Sequence, residues 1–305
     1  MLKRCAYLLI ILSGLFLSSC DPEDIDETTK TYWESNAWVR LQLKGKVKSV
    51  KESANEQFTI TNFNDKGQIT STEEQYPNNE PYVVNYTYNS SNQLESDGEL
   101  TYSYGSHGKY IPVHTFHINH AGLIKNLSGT STEYGSTEFK FEGNNLLMIN
   151  TYQSEKDTSV IQYTDNYPTS FTHMNGNWGE FMEATYAENG MFAIYEEGFL
   201  GTGENTYRDS RKHYYKSDSE YLLIDKTVMT YTATTVDVTT ITYTYNDKKD
   251  VVKVETKDND GKVTQKEDIS YEYDSTGNWT KKTIVYTYDG QSREPMIITR
   301  EYTYY

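Results

Sequence analysis

Three histidines spaced three apart, His114, His117 and His120 in VHTFHINH, are the residues of this chain that most invite a metal ion. Imidazole nitrogens bind zinc, but a tetrahedral site needs its ligands to converge on one point. Read as one strand, the segment sets His114 and His120 about 20 Å apart and turns His117 to the other face. Ordinary strand histidines are therefore expected, with no metal. A second stretch, KDNDGKVTQKE at 257–267, imitates a calcium loop, with Asp258, Asp260, Gly261 and Glu267 at its third, fifth, sixth and twelfth positions. Its first position is Thr256, which supplies no carboxylate, and Asp260-Gly261 between VVKVET and KVTQKE is a hairpin signal. No nucleophile elbow, phosphate loop, zinc-protease helix or cysteine-based site occurs in the chain. No catalytic residue and no cofactor is assigned, and a non-enzymatic protein is expected. A glycosidase-like carboxylate pair depends on the fold to bring two acids together.

Aromatic side chains offer a different chemistry. Between 165 and 216 lie Trp178, Phe181, Tyr186, Phe192, Tyr195 and Phe199 among glycines and acids. EATYAENGMFAIYEE reads as one hairpin around Asn189-Gly190, and GFLGTGENTYRDSRKHYYK as a longer loop. Exposed aromatic rings beside polar groups suit carbohydrate faces, so Trp178, Tyr195 and Phe199 are candidates for ligand binding. The competing reading is that they pack a core. Lys44, Lys46, Lys48 and Lys51 make a basic stripe, which a solvated face of the first strand explains.

The elements that must position these residues come from a repeated phrase. NFNDKGQIT (62–70), YTYNSSNQL (86–94), FHINHAGLI (116–124), FKFEGNNLL (139–147), YTYNDKKDVV (243–252) and YEYDSTGNWT (271–280) share one order: aromatic, any, aromatic, Asn or Asp, linkers, apolar. YTYDG at 286–290 and EYTYY at the end are truncated copies. Two aromatics one residue apart share a strand face, Asn or Asp starts a turn, and Gly accepts the positive φ of a tight hairpin. Ile269, Tyr271 and Tyr273 alternate with Ser270, Glu272 and Asp274, the pattern of a sheet with one wet face. The 29 tyrosines and only 6 prolines suit strands. Nothing after the first twenty residues is helical except a short turn around 33–40. The chain is thus expected to be all-β, an antiparallel meander of on the order of 16 to 20 strands. A closed or nearly closed barrel removes the sheet edges; an open spiral or a sandwich is the alternative.

The phrase resembles the YD repeat of Rhs-type proteins. The first twenty residues, MLKRCAYLLIILSGLFLSSC, join two basic residues to an apolar run too short to span a bilayer. Their Leu-Ser-Ser-Cys resembles the lipobox of bacterial lipoproteins. That resemblance implies removal of 1–19 as a signal peptide and lipid, including palmitate, on Cys20; the acidic, apolar-poor DPEDIDETTK (21–30) makes 20–32 a flexible tether, and the hairpin repeats make 33–305 one all-β domain. With Cys5 removed and Cys20 acylated, no thiol remains for a disulfide. Lipobox, tether, LKGKVKSV opening and closing GNW repeat together resemble a family of bacterial lipoproteins of unknown function with a porin-like β fold. The acidic run resembles the surface-export signal of some anaerobic bacteria, whereas Asp beside the cysteine resembles an inner-membrane retention signal. An outer-membrane lipoprotein at the cell surface is expected, with a periplasm-facing one as the alternative. The formal net charge of −16 becomes two units more negative without Lys3 and Arg4, and repels nucleic acid. The expected partners are the membrane, through lipid on Cys20, and a glycan or another envelope protein. A periplasmic assembly component and a carboxylate-based hydrolase are the alternatives. A membrane-spanning barrel is disfavoured, because Thr299, Glu301 and Thr303 alternate with neighbours in the last strand and would put a charge in lipid.

Overall fold

The structure, a computed structural model, describes residues 36–305 except 116–119, 153–154, 176–177, 189, 203–205, 218–220 and 234; at 112–115, 120–122, 152, 155, 174, 175 and 178 it describes the backbone alone. The signal segment, Cys20, the tether, His117 and Asn189 lie outside the described residues. A single turn of helix, α1 (Ala37–Arg40), comes first, its N-terminus capped by Asn36, whose side-chain oxygen accepts from the Val39 amide.

The rest is strand. In chain order these are β1 (Val47–Ala54), β2 (Gln57–Phe63), β3 (Ile69–Gln75), β4 (Tyr82–Asn85), β5 (Thr87–Tyr88), β6 (Leu94–Ser96), β7 (Thr101–Tyr104), β8 (Tyr110–Thr115), β9 (His120–Lys125), β10 (Leu127–Ser131), β11 (Gly135–Glu142) and β12 (Asn145–Tyr152). They continue as β13 (Glu155–Thr164), β14 (Tyr167–Asn175), β15 (Trp178–Tyr186), β16 (Phe192–Gly201), β17 (Tyr207–Tyr215), β18 (Ile224–Thr232), β19 (Val236–Tyr245), β20 (Val251–Lys257), β21 (Val263–Tyr273), β22 (Trp279–Tyr288), β23 (Gln291–Ser292) and β24 (Met296–Tyr304). Strands β8 and β9 form a ladder of their own, inserted between β7 and β10, which pair with each other; the other 22 make one antiparallel meander. That exceeds the expected strand count because several strands, such as β5 and β6, are only two or three residues long.

Strand β1 pairs with β2 on one side and with β24 on the other, so the ends of the meander meet and the sheet is a nearly closed barrel. Its one seam lies at Tyr86, where a single extended run breaks into β4, paired to β3, and β5, paired to β6. The register carries one face around the ring: Leu146 opposite Ile161, Ile161 opposite Phe171, Phe171 opposite Met182, Tyr195 opposite His213, and Tyr271 opposite Lys282. This is the inner face. Its buried side chains gather into three clusters, around Val50 and Phe63, around Leu146 and Ile161, and around Met182 and Phe192. Tyr110 and Ile111 of the inserted hairpin enter the last two.

The repeated phrase folds as a hairpin of one geometry. Asn64, Asn89, Asn246, Asp258 and Asp274 each accept, through a side-chain oxygen, the amides two and four residues on. The residue three places on has positive φ: Gly67, Asn92, Lys249, Gly261 and Gly277. This is a type I turn closed by a bulge, and the ladder slips by one residue at the aromatic just before the turn, as at Phe63, Tyr88, Tyr245 and Tyr273. The calcium-like stretch is such a turn between β20 and β21. YTYDG instead closes on two positive-φ residues, Asp289 and Gly290.

A second regularity joins consecutive copies. The hydroxyls of Tyr88, Tyr104, Tyr271 and Tyr302 donate to the carbonyls of Ile69, Leu94, Val251 and Trp279, each the apolar residue that reopens the preceding hairpin. The aromatic two residues on reaches the turn itself: Tyr273 donates to Asp250, and Tyr304 donates to Asp274 at 2.6 Å. Each phrase thus latches the turn before it.

One expectation is corrected. GFLGTGENTYRDSRKHYYK is not a long loop; β16 runs to Gly201 and β17 starts at Tyr207, leaving only 202–206 between them. Alternation across Tyr207, Asp209, Arg211 and His213 places these side chains on one face, the inner one, which the glycines upstream obscured.

The turn at Asp274 is testable. Burial alone would raise its carboxyl pKa, but hydrogen bonds from Tyr304 and three amides outweigh it and hold the group below its ordinary 3.8. Asp274→Ala should cost about 2 kcal/mol in urea unfolding at pH 7. Because the folded-state pKa is depressed, this contribution is present above pH 3.8 and is lost as pH falls through the lowered value. The variant and the parent should therefore converge in stability in acid.

Candidate functional site: the two ends of the barrel

The turns that begin at Asn64, Asn89, Asn246 and Asp274 share one end of the barrel with residues 36–46, with 216, 217 and 221–223, and with Tyr305. This end is capped. The Ala37 amide donates to the Gly67 carbonyl, and Trp38 Nε1 donates to the Val47 carbonyl. Gly67 has φ +76°, and a Cβ there would lie 2.7 Å from the Trp38 ring, so only glycine lets α1 close over this turn. Asn278 clamps the next segment, accepting from the Lys44 amide and donating to the Lys44 carbonyl, both at 2.8 Å.

Beneath residues 41–44 and 222–224 is a cavity of about 340 Å³ against the inner faces of β19–β22 and β24. Tyr243, Tyr245, Tyr271, Trp279 and Tyr302 supply its aromatic walls. Burial pushes the Tyr245 hydroxyl up to about 12, so it stays protonated as the donor to the Ile224 carbonyl. The lining holds five cations, Lys44, Lys248, Lys249, Lys282 and Arg300, against one acid, Asp250. Lys44 donates to the Tyr221 hydroxyl, and Lys248 sits over the Tyr273 ring. Arg300 lies 3.9 Å from the Trp279 ring and donates to Glu52 at 2.7 Å.

Among the described residues no comparable segment covers the other end. Most of the exposed large apolar side chains among the described residues lie there, including Tyr76, Tyr82, Tyr134, Phe199, Tyr231 and Tyr288. Phe199 and Tyr231, 47% and 46% exposed, flank Asp209 in one cross-strand row of the inner face. Tyr207, two residues nearer the rim, has its ring centre 6.3 Å from that of Tyr231.

The three aromatics singled out in the sequence do not form one site. Phe199 is at that rim. Tyr195 is buried among Met182, Ala184 and Phe192, its hydroxyl donating to Glu197 at 2.9 Å, and is a core residue. Trp178 begins β15 opposite Gly201, which is itself opposite Tyr207; its side chain lies outside the description. Tyr207 and Tyr231 were missed, because their nearness to Phe199 exists only across strands. The histidines do not share one strand: β8 carries His114 and β9 carries His120, which pairs with Thr115. The basic stripe is divided, Lys44 reaching the cap while Lys51 lies over the Phe58 ring. Among the described residues the carboxyls with a resolved shift, Glu196, Glu255 and Asp274, are shifted down, whereas a glycosidase acid is tuned upward.

No protein-family model matches the chain, and no curated protein matches it. Among solved structures it is similar to a porin-like protein of Bacteroides uniformis, with 9% identity and a TM-score of 0.35 over 85% of this chain and 98% of that one. A porin-like protein of Bacteroides vulgatus gives 9% identity and 0.32 over the same shares. A Tc holotoxin pore of Photorhabdus luminescens gives 12% and 0.19, covering 78% of this chain and 15% of that one. At these values none assigns the chain a function.

The contrast between the aromatics yields a prediction. Tyr195→Ala should lower the unfolding free energy by about 3–5 kcal/mol, as for other buried aromatics, and Phe199→Ala by less than about 1. Parallel denaturant titrations measure both.

Proposed function

We propose that the chain is a lipid-anchored, non-enzymatic binding module of the bacterial envelope that presents the uncapped end of its barrel to glycans. The observation that carries this reading is the group of aromatics at the rim opposite the end where the chain enters the barrel, with Phe199 and Tyr231 exposed and Tyr207 half-buried against Tyr231. Aromatic faces bind the apolar faces of sugar rings while the polar groups between them, here Asp209, take hydroxyls. Lipid on Cys20 would attach the protein to the membrane.

The outer face supports attachment by lipid over insertion by strands. Across β20–β22 it carries Lys253 with Glu255, Lys266 with Asp268, and Lys281 with Glu272, each pair within 2.8 Å. Register places Glu255 opposite Lys266 and Lys253 opposite Asp268, a lattice of alternating sign. A Lys at mid-membrane costs about 2–4 kcal/mol, so such a surface is built for water. The acidic residues after Cys20 favour the outer leaflet and the cell surface, and the hairpin phrase keeps its likeness to YD repeats.

Two measurements test this. Radiolabelled palmitate should enter the protein in cells and be lost in Cys20→Ser, and protease added to intact cells should digest it while sparing a periplasmic control. On a glycan array, the protein should bind, and a variant with Phe199, Tyr207 and Tyr231 all changed to Ala should lose at least tenfold in affinity with its circular dichroism unchanged. Binding that survives the triple change would remove the rim from consideration.

A further inference from the structure

Lys282 is the odd member of the capped cavity. It projects from the middle of β22 onto the inner face, between Tyr271 on one side and Ile298 on the other. Among the described residues its ammonium has no hydrogen-bond or ion-pair partner, although three acids stand nearby. Glu52 is taken by Arg300 at 2.7 Å, Asp250 accepts from Tyr273 at 2.8 Å, and Glu267 accepts from Gln265 at 3.1 Å. Burial is the main influence on Lys282 and lowers its pKa; attraction from Glu52, Glu267 and Asp250 only partly offsets it, and Arg300 opposes them. A half-buried cation left unpaired costs stability, and a chain with 44 acidic residues had many ways to pair it.

The walls say what would pair it. Tyr245, Tyr271 and Tyr302 are held by hydroxyl-to-carbonyl bonds that leave their rings as fixed faces. Five cations to one acid make the cavity a local positive site on an acidic protein. Lys248 and Lys249 are exposed and mark where it meets solvent. Its volume of about 340 Å³ lies in the range of small-molecule sites. We propose that this cavity binds a small sugar ring bearing a carboxylate, the carboxylate on Lys282 and the ring between the tyrosine faces.

This site is separate from the rim and does not depend on it. The test is calorimetric titration of the whole protein with glucuronate, glucose and glucose 6-phosphate. Glucuronate should bind at least tenfold more tightly than either of the others. Equal binding of glucose would overturn the proposal by removing any role for the charge, and tighter binding of the phosphosugar would overturn it in favour of a phosphate site. Lys282→Met, which removes an unpaired charge while keeping the side chain's bulk, should fold with an unchanged or higher Tm and lose at least tenfold in glucuronate affinity; unchanged affinity would overturn it. The triple rim variant should bind glucuronate like the parent, so the two sites fail or stand independently.

Discussion

The pairing of β1 with β24, from Val47 opposite Tyr304 to Ala54 opposite Ile298, joins residues some 250 positions apart and gives the barrel an inside. A meander of this length otherwise ends in two rows of unpaired amides and carbonyls, each a template for another chain. Backbone bonds are not alone in the joint: Ser49 and Thr303 share a hydrogen bond at 2.6 Å on the outer face, and Arg300 holds Glu52 on the inner face. Once the ends meet, alternation sorts the strand residues between a shared interior and an outer face, although on β15–β17 the outer-face Phe181, Glu196 and Ser210 are also buried. The Glu52–Arg300 pair also has a cost elsewhere. It commits to ring closure the acid that would otherwise have neutralised the cation one strand over.

How far the sequence disclosed this depends on the distance across which each feature acts. The turns at Asn64, Asn246, Asp258 and Asp274 were legible because the side chain, the amides it accepts and the positive-φ residue all lie within five positions. The sharing of a face by Tyr271 and Tyr273 was legible for the same reason. What their hydroxyls bond to was not: Tyr271 reaches Val251, 20 residues back, and that depends on the register of two ladders. The offset varies between copies, from 10 residues at Tyr104 to 23 at Tyr302, so no fixed spacing in the sequence marks the bond. Tyr195 and Phe199 show the same limit at the candidate site. They are four residues apart on one face of one strand, yet one is core and the other rim, because burial along a barrel strand depends on height above the cap.

The partition of charge follows from the ring as well. Acids outnumber bases, 44 to 28 over the whole chain, yet the lining of the capped cavity reverses that ratio. The acids that face outward meet lysines in alternating rows, and screening confines each interaction to about 8 Å at physiological salt. A cavity walled by aromatic rings is screened less than the surface, so its surplus of cations is felt by an anion within it even though the protein as a whole would repel that anion.

Interlocked hydrogen bonds and exposed aromatics are therefore placed at different heights of the same strands. At the capped end each turn carboxylate or amide accepts two or three backbone groups, each tyrosine holds the copy before it, and the segment over α1 is fixed by Gly67 and Asn278. These bonds interlock, so loss of one exposes others. At the other end the side chains that stand out, Phe199 and Tyr231 among them, are half in water and support little beneath them. A change there alters what the rim presents and leaves the ladder intact. The turn at Asp258, at the opposite end from those at Asn246 and Asp274, keeps the same side-chain-to-amide bonds, so the hairpin geometry is common to both ends and the covering segment over the capped end is what distinguishes them.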